Sequence, residues 1–127
     1  MAAFFSNGIR ILNVHLPWLL VISLVSIQSH ISAENLGSAL SSSDKFTHFL
    51  VFGLLSWLII RAVFKEKNTF LQRNYFWFVL FVLGIFSFID EMHQYFIPGR
   101  DAEIWDWLAD MAGGITFLFI YKYRNKD

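Results

Sequence analysis

Four apolar stretches, at about 9–28, 46–64, 74–97 and 104–121, dominate this chain. Each approaches the length of helix, about 20 residues, that crosses the hydrocarbon core of a bilayer. A water-soluble fold would have to bury all four against one another. With 56% hydrophobic residues, 19% aromatic and 16% charged in 127 positions, little polar surface is left to cover them. Soluble domains carry about a quarter charged residues, and a chain this short would expose large apolar patches in water. The expected fold is therefore all-α, an integral membrane bundle of four transmembrane helices forming a single domain over 1–127.

Polar residues separate the stretches. Residues 29–44 are rich in Ser, Asn and Gly, and Pro98-Gly99-Arg100-Asp101 forms a short turn in which proline ends a helix and glycine permits the reversal. Pro17 is expected to kink the first helix. The first apolar run also has the character of a cleavable signal peptide, with Ala33 a passable cleavage position. Its length, beyond the 7 to 15 residues or so of a usual signal core, favours a retained helix.

Basic residues near helix ends stay on the cytoplasmic side. Of ten Lys and Arg, eight fall on one side of the four-helix layout: Arg10, then Arg61, Lys65, Lys67 and Arg73, then Lys122, Arg124 and Lys126. Lys45 and Arg100 fall on the other, which places both termini in the cytoplasm and the loops with Glu34, Asp44, Asp101 and Glu103 outside. Aromatic residues follow the same layout, Tyr75, Trp77, Tyr121 and Tyr123 at the inner interface and Tyr95, Trp105 and Trp107 at the outer one. Net charge is zero, so nothing global favours nucleic acid. The absence of cysteine removes disulfides, thiolate metal sites and cysteine nucleophiles.

The candidate functional residues cluster at the outward helix ends. In the second helix Asp44 follows three serines as an N-cap would, while Lys45, His48 and Phe52 share a face by three- and four-residue spacing. An ionisable side chain one turn inside a membrane helix ordinarily faces the bundle or a wet cavity, which singles out His48. The third helix carries Asp90, Glu91 and Gln94, with Ser87 a turn below. Because Tyr95-Phe96-Ile97 prolongs its apolar character to Pro98, the two acids are expected about two turns, roughly 11 Å, below the helix end. The fourth helix places Asp106, Asp110, Gly113 and Gly114 along one stripe, acidic above and small below. Each motif also has a plain structural reading as a solvated helix end. Together, however, the acids far outnumber Lys45 and Arg100, so some must be solvent-exposed, held protonated or balanced by a cation. Arg100 is expected to fix its loop through a bidentate pair with a carboxylate.

In order, Asp44-Lys45-x-x-His48-Phe49, Asp90-Glu91-x-x-Gln94-x-Phe96-x-Pro98-Gly99-Arg100 and Asp106-x-x-Ala109-Asp110-x-x-Gly113 resemble the VanZ-like membrane family. The resemblance covers the second to fourth helices, and Asp110 stands where many members have asparagine. It implies a multi-pass protein of a bacterial cell membrane. The family's name comes from a member linked to low-level teicoplanin resistance. The expected function is binding of a cell-envelope lipid, cell-wall component or partner in an outer polar pocket, without an enzymatic step, a cofactor or nucleic acid. The alternatives are a membrane enzyme on a lipid-linked or cell-wall substrate, with Glu91 or Asp110 carrying a proton and a divalent cation held by carboxylates and His48, or a proton-coupled transporter. No serine-nucleophile motif, phosphate-cradling glycine loop or zinc signature supports the enzyme. The absence of visible inverted repeats weighs against the transporter.

Overall fold

The computed structural model describes residues 2–30 and 44–125, with side chains described over 8–30 and 45–125. Five helices follow one another: α1 (Ala2–His30), α2 (Asp44–Lys65), the short α3 (Thr69–Arg73), α4 (Tyr75–Tyr95) and α5 (Ile104–Arg124). The described residues contain no strand. The expectations for Ala33 and Glu34, for the Asp44 side chain as a cap and for Lys126 fall outside the described residues.

The core is a seam of aliphatic and aromatic side chains, Phe52, Leu55, Ile59, Ile60, Val63, Val79, Leu83 and Leu118, contributed by α2, α4 and α5. The most extensive interface is α2 on α5. It is close because Gly113 presents no side chain: a Cβ there would be driven into the Phe49 carbonyl and stand 2.7 Å from its carbon. Two turns along α2 from Phe49, the buried Ser56 hydroxyl donates to the Gly114 carbonyl at 3.0 Å. At the opposite end from the acidic cluster, Tyr75 and Tyr121 pack with Phe64 and Trp57. These two tyrosines are thus partly internal, while Trp77 and Tyr123 are largely exposed.

Outside the core the molecule is apolar. Leu24, Phe46, Phe81, Phe88, Ile104 and Phe119 are each more than half exposed, a surface suited to lipid and unsuited to water. Three helical segments are long and apolar enough to cross a membrane: Gly8–His30, Lys45–Lys65 and Tyr75–Tyr95. The expected fourth span is a helix of the right length, 21 residues from Ile104, but lacks that apolar average. Asp106, Asp110, Gly113 and Gly114 dilute its first half.

Two boundaries differ from the sequence reading in ways that matter. The first helix begins at Ala2 rather than near Ile9 and continues through Pro17. The third span was expected to reach Ile97, but α4 ends at Tyr95. The Phe96 and Ile97 amides bond back to His93 and Gln94, tightening the last turn, and the Arg100 amide reaches the Ile97 carbonyl across Pro98 and Gly99. Gly99 has φ 77, the left-handed value needed at the third position of a type II turn with proline second. Asp90 and Glu91 therefore sit only a little more than one turn from the helix end. They are buried by neighbouring helices rather than by depth.

Candidate functional site

The C-terminal ends of α1 and α4 and the N-terminal ends of α2 and α5 meet at one end of the bundle. The faces expected from helical spacing are the faces that turn inward. Ser87, Asp90, Glu91 and Gln94 on α4 are buried, as are Asp106 and Asp110 on α5. Six polar side chains in so small a volume need partners, because an unpaired buried polar group costs about 1 to 3 kcal/mol and a charged one more.

Most of them have one. Asp110, fully buried, accepts a hydrogen bond from the Ser87 hydroxyl at 2.5 Å and lies 2.8 Å from Nδ1 of His48. Gln94 donates to Asp90 at 3.0 Å and to the Ser29 hydroxyl at 3.3 Å, tying α1 to α4. The Glu103 backbone N–H donates to Oε2 of Glu91 at 3.1 Å, anchoring the start of α5 on α4. Lys45 reaches across from α2 to Glu103 at 2.8 Å and Asp106 at 3.3 Å. With 51% of its side chain exposed, the lysine contributes about 1 kcal/mol or less through each contact. Its value is to orient two helix ends.

Two buried oxygens remain without a hydrogen-bond donor among the described residues, Oε1 of Glu91 and Oδ1 of Asp106. The second is at ion-pair distance from Lys45, although no donor is aligned on it. Among the described residues, no lysine or arginine pairs with the first. One ring nitrogen of His48 and one carboxylate oxygen each of Glu91 and Asp110 lie within 4.8 Å of one another, so three helices bring three metal-competent side chains together.

Two cavities flank this layer. The first is small, about 20 Å³, and is bordered by Ser29, His48, Asp90, Gln94 and Arg100. It has room for about one water molecule. The second is an open groove of about 370 Å³ between α4 and α5, lined by Phe88, Met92, Ile104 and Trp107 together with Ala102, Glu91 and Glu103. Glu91 borders the groove and belongs to the three-residue cluster.

Of the residues singled out in the sequence, Lys45, His48, Asp90, Glu91, Gln94, Asp106 and Asp110 come together at this end. The Asp44 side chain lies outside the described residues. Arg100 borders the small cavity, and the expected bidentate pair with a carboxylate is absent among the described residues. The Pro98-Gly99 turn is closed by the Arg100 amide on the Ile97 carbonyl.

Sequence reasoning undervalued Glu103, which engages both Lys45 and Glu91, because a residue preceding a helix reads as loop. It also passed over the stacked pair of His30 and His93, 3.3 Å apart at the same end. A polar group at the opposite end was missed altogether. There Glu66 meets His15 at 3.1 Å and Arg10 at 3.9 Å, and Trp18 donates to His15 at 3.2 Å. The three-residue spacing of His15 and Trp18 was the available signal.

Comparison with curated proteins and with solved structures finds no match. A family model does match, and it spans all the helices, α1 included, beyond the three motif-bearing segments. Residues 4–125 fit the VanZ/LLP1 model, and the chain belongs to that family.

Proposed function

We propose that this chain is a multi-pass protein of a bacterial cell membrane, crossing it four times with both termini in the cytoplasm, and that its outer end binds an amphiphilic envelope molecule. The eight-to-two division of Lys and Arg supports the orientation. The burial of Asp106 and Asp110 supports α5 as the fourth span. An average over the helix counts acids that lipid never meets, whereas its exposed side carries Ile104, Trp105, Leu108, Phe119 and Ile120.

The observation that carries the binding reading is the groove between α4 and α5, where an apolar wall meets two carboxylates. Ligand sites commonly combine apolar lining with a few fixed polar groups. An acyl or isoprenoid chain would lie along Phe88, Met92, Ile104 and Trp107. The polar end would face Glu91 and Glu103, so it carries hydrogen-bond donors or positive charge, as sugar hydroxyls and amines do. Family membership supports extending the reading to teicoplanin-type glycopeptide sensitivity through a changed envelope.

Catalysis on a lipid-linked substrate is the second reading, favoured by the unpartnered Oε1 of Glu91 beside that groove. No observation favours transport.

The test is lipid retention. Protein purified into nanodiscs of bacterial lipid extract should release an envelope amphiphile on native mass spectrometry. Ala102→Trp, which fills the groove from a loop position, should lower retention at least about tenfold, because a blocked pocket loses most of the apolar contact. In a susceptible host the same variant should abolish any change in glycopeptide inhibitory concentration. Equal retention by wild type and Ala102→Trp would rule the groove out as the binding site. Turnover of the retained molecule would favour catalysis.

A further inference from the structure

We propose that His48, Glu91 and Asp110 form a binding site for a divalent transition-metal ion of the zinc class. The inference goes beyond the amphiphile reading and does not depend on it, since it requires only three side chains and no particular sidedness.

The ligand set comes first. His48 is contributed by α2, Glu91 by α4 and Asp110 by α5, and their donor atoms already lie within 4.8 Å of one another. Ligands about 2.0 to 2.2 Å from a shared ion stand roughly 3 to 4 Å apart, so side-chain adjustments of about an ångström close the triangle. One imidazole nitrogen with two carboxylate oxygens suits zinc and its neighbours. Magnesium and calcium prefer shells made of oxygen alone.

The second observation is independent of the spacing. Glu91 is 7% exposed, yet its Oε1 has no hydrogen-bond partner among the described residues. Its other oxygen is held by the Glu103 N–H at 3.1 Å, which fixes the carboxylate plane. A buried carboxylate held on one side and unpaired on the other is poised to take a cation. Two buried carboxylates beside one imidazole are costly to keep ionised in a low dielectric, and a divalent ion would offset that charge.

The surroundings match how metal ligands are supported. Ser87 holds the second oxygen of Asp110 at 2.5 Å, the outer-shell orientation that ligating carboxylates ordinarily receive. His48 borders the water-sized cavity and Glu91 borders the larger groove, so a fourth coordination position can be supplied from either side. Three protein ligands plus one open position is the pattern of zinc sites that exchange a water or substrate ligand.

The experiment uses the full chain, stripped with chelator and reconstituted in nanodiscs, with zinc as the probe in calorimetric titration and magnesium and calcium in parallel. One zinc per chain should bind, at least about tenfold tighter than either alkaline-earth ion. Zinc-edge X-ray absorption on wild type should show a nitrogen and oxygen shell with a single imidazole. Glu91→Gln and Asp110→Asn, which preserve size, should each weaken zinc binding about tenfold or more, and Ser87→Ala should weaken it about tenfold by freeing the Asp110 carboxylate. The double variant His30→Ala, His93→Ala should change affinity less than about twofold. Metal-free melting curves verify that each variant folds, and the wild-type absorption spectrum decides the matter even where one does not. Absence of stoichiometric zinc binding, a two-imidazole spectrum, or loss of binding in the His30, His93 double variant would overturn the site.

Discussion

Gly113→Ala is expected to destabilise the protein by about 3 kcal/mol or more and to disrupt the polar cluster at the same time. Added methylenes in a packed interior typically cost about 1 to 3 kcal/mol when side chains can shift. Here the obstacle is backbone. The new methyl would overlap the Phe49 carbonyl and lie 2.7 Å from its carbon and 2.9 Å from its Cα, so α2 and α5 must separate as units. Phe49 adjoins His48 and Gly113 is one turn from Asp110. Separation therefore also lengthens the 2.8 Å contact between His48 and Asp110. Gly84→Ala is the matched control, because the nearest atom to its Cβ would be the Met111 sulfur at 3.9 Å. That substitution should be neutral or stabilising by about 0.5 to 1 kcal/mol, the helix preference of alanine over glycine. Unfolding in mixed micelles measures both. Equal stability of Gly113→Ala and Gly84→Ala would contradict the close contact.

Asp110 should show the largest difference between two substitutions at one position. Asp110→Leu removes the acceptor of Ser87 and the partner of His48 and leaves both polar groups buried beside an apolar side chain. Breaking a buried pair from one side costs about 3 to 5 kcal/mol. Interhelical hydrogen bonds within membranes are often worth less, about 0.6 kcal/mol on average, because the separated helices find other partners. The higher figure applies here because Asp110 is fully buried and both partners are fixed on neighbouring helices. Asp110→Asn keeps one oxygen to accept from Ser87 and turns an amide NH2 toward the His48 nitrogen, which can accept from it, so about 1 kcal/mol is expected. The same unfolding assay, with expression level as a second readout, compares the pair. A Leu variant more stable than wild type would remove Asp110 from any polar network.

The faces of individual helices were legible because helical periodicity is local. Spacing of three and four placed Lys45, His48 and Phe52 together, and likewise Ser87, Glu91 and Gln94, and Asp106, Asp110 and Gly113. The structure buries the polar members of the latter two sets and stacks His48 on Phe52. Partner choice between helices was not legible, because it follows from the register set where Gly113 meets Phe49, some 64 positions apart in sequence (113 − 49). Nothing local shows that Asp110 takes His48 while Lys45 takes Glu103 and Asp106. Arg100 was assigned a carboxylate on chemistry alone, whereas the turn it belongs to closes through its backbone. The end of α4 was overextended because Phe96 and Ile97 are apolar, and the conformational demands of Pro98 and Gly99 act two residues upstream. Averaged hydropathy, conversely, does not mark α5 as a span, and such an average cannot distinguish acids that face a bundle from acids that face lipid.

The proposed outward placement of the groove-bordered cluster is tested most directly by cysteine labelling in intact cells, for which the cysteine-free chain needs no background substitutions. Single cysteines replace Ser42 and Ala102 on one side and Asn68 and Asn125 on the other. An impermeant thiol reagent added outside should modify the Ser42→Cys and Ala102→Cys proteins and spare the other two until the membrane is permeabilised. Because Ala102 lines the groove, adding the retained envelope amphiphile should slow labelling there and leave position 42 unaffected. Labelling of positions 68 and 125 from outside, with 42 and 102 protected, would invert the topology and contradict an envelope-facing site.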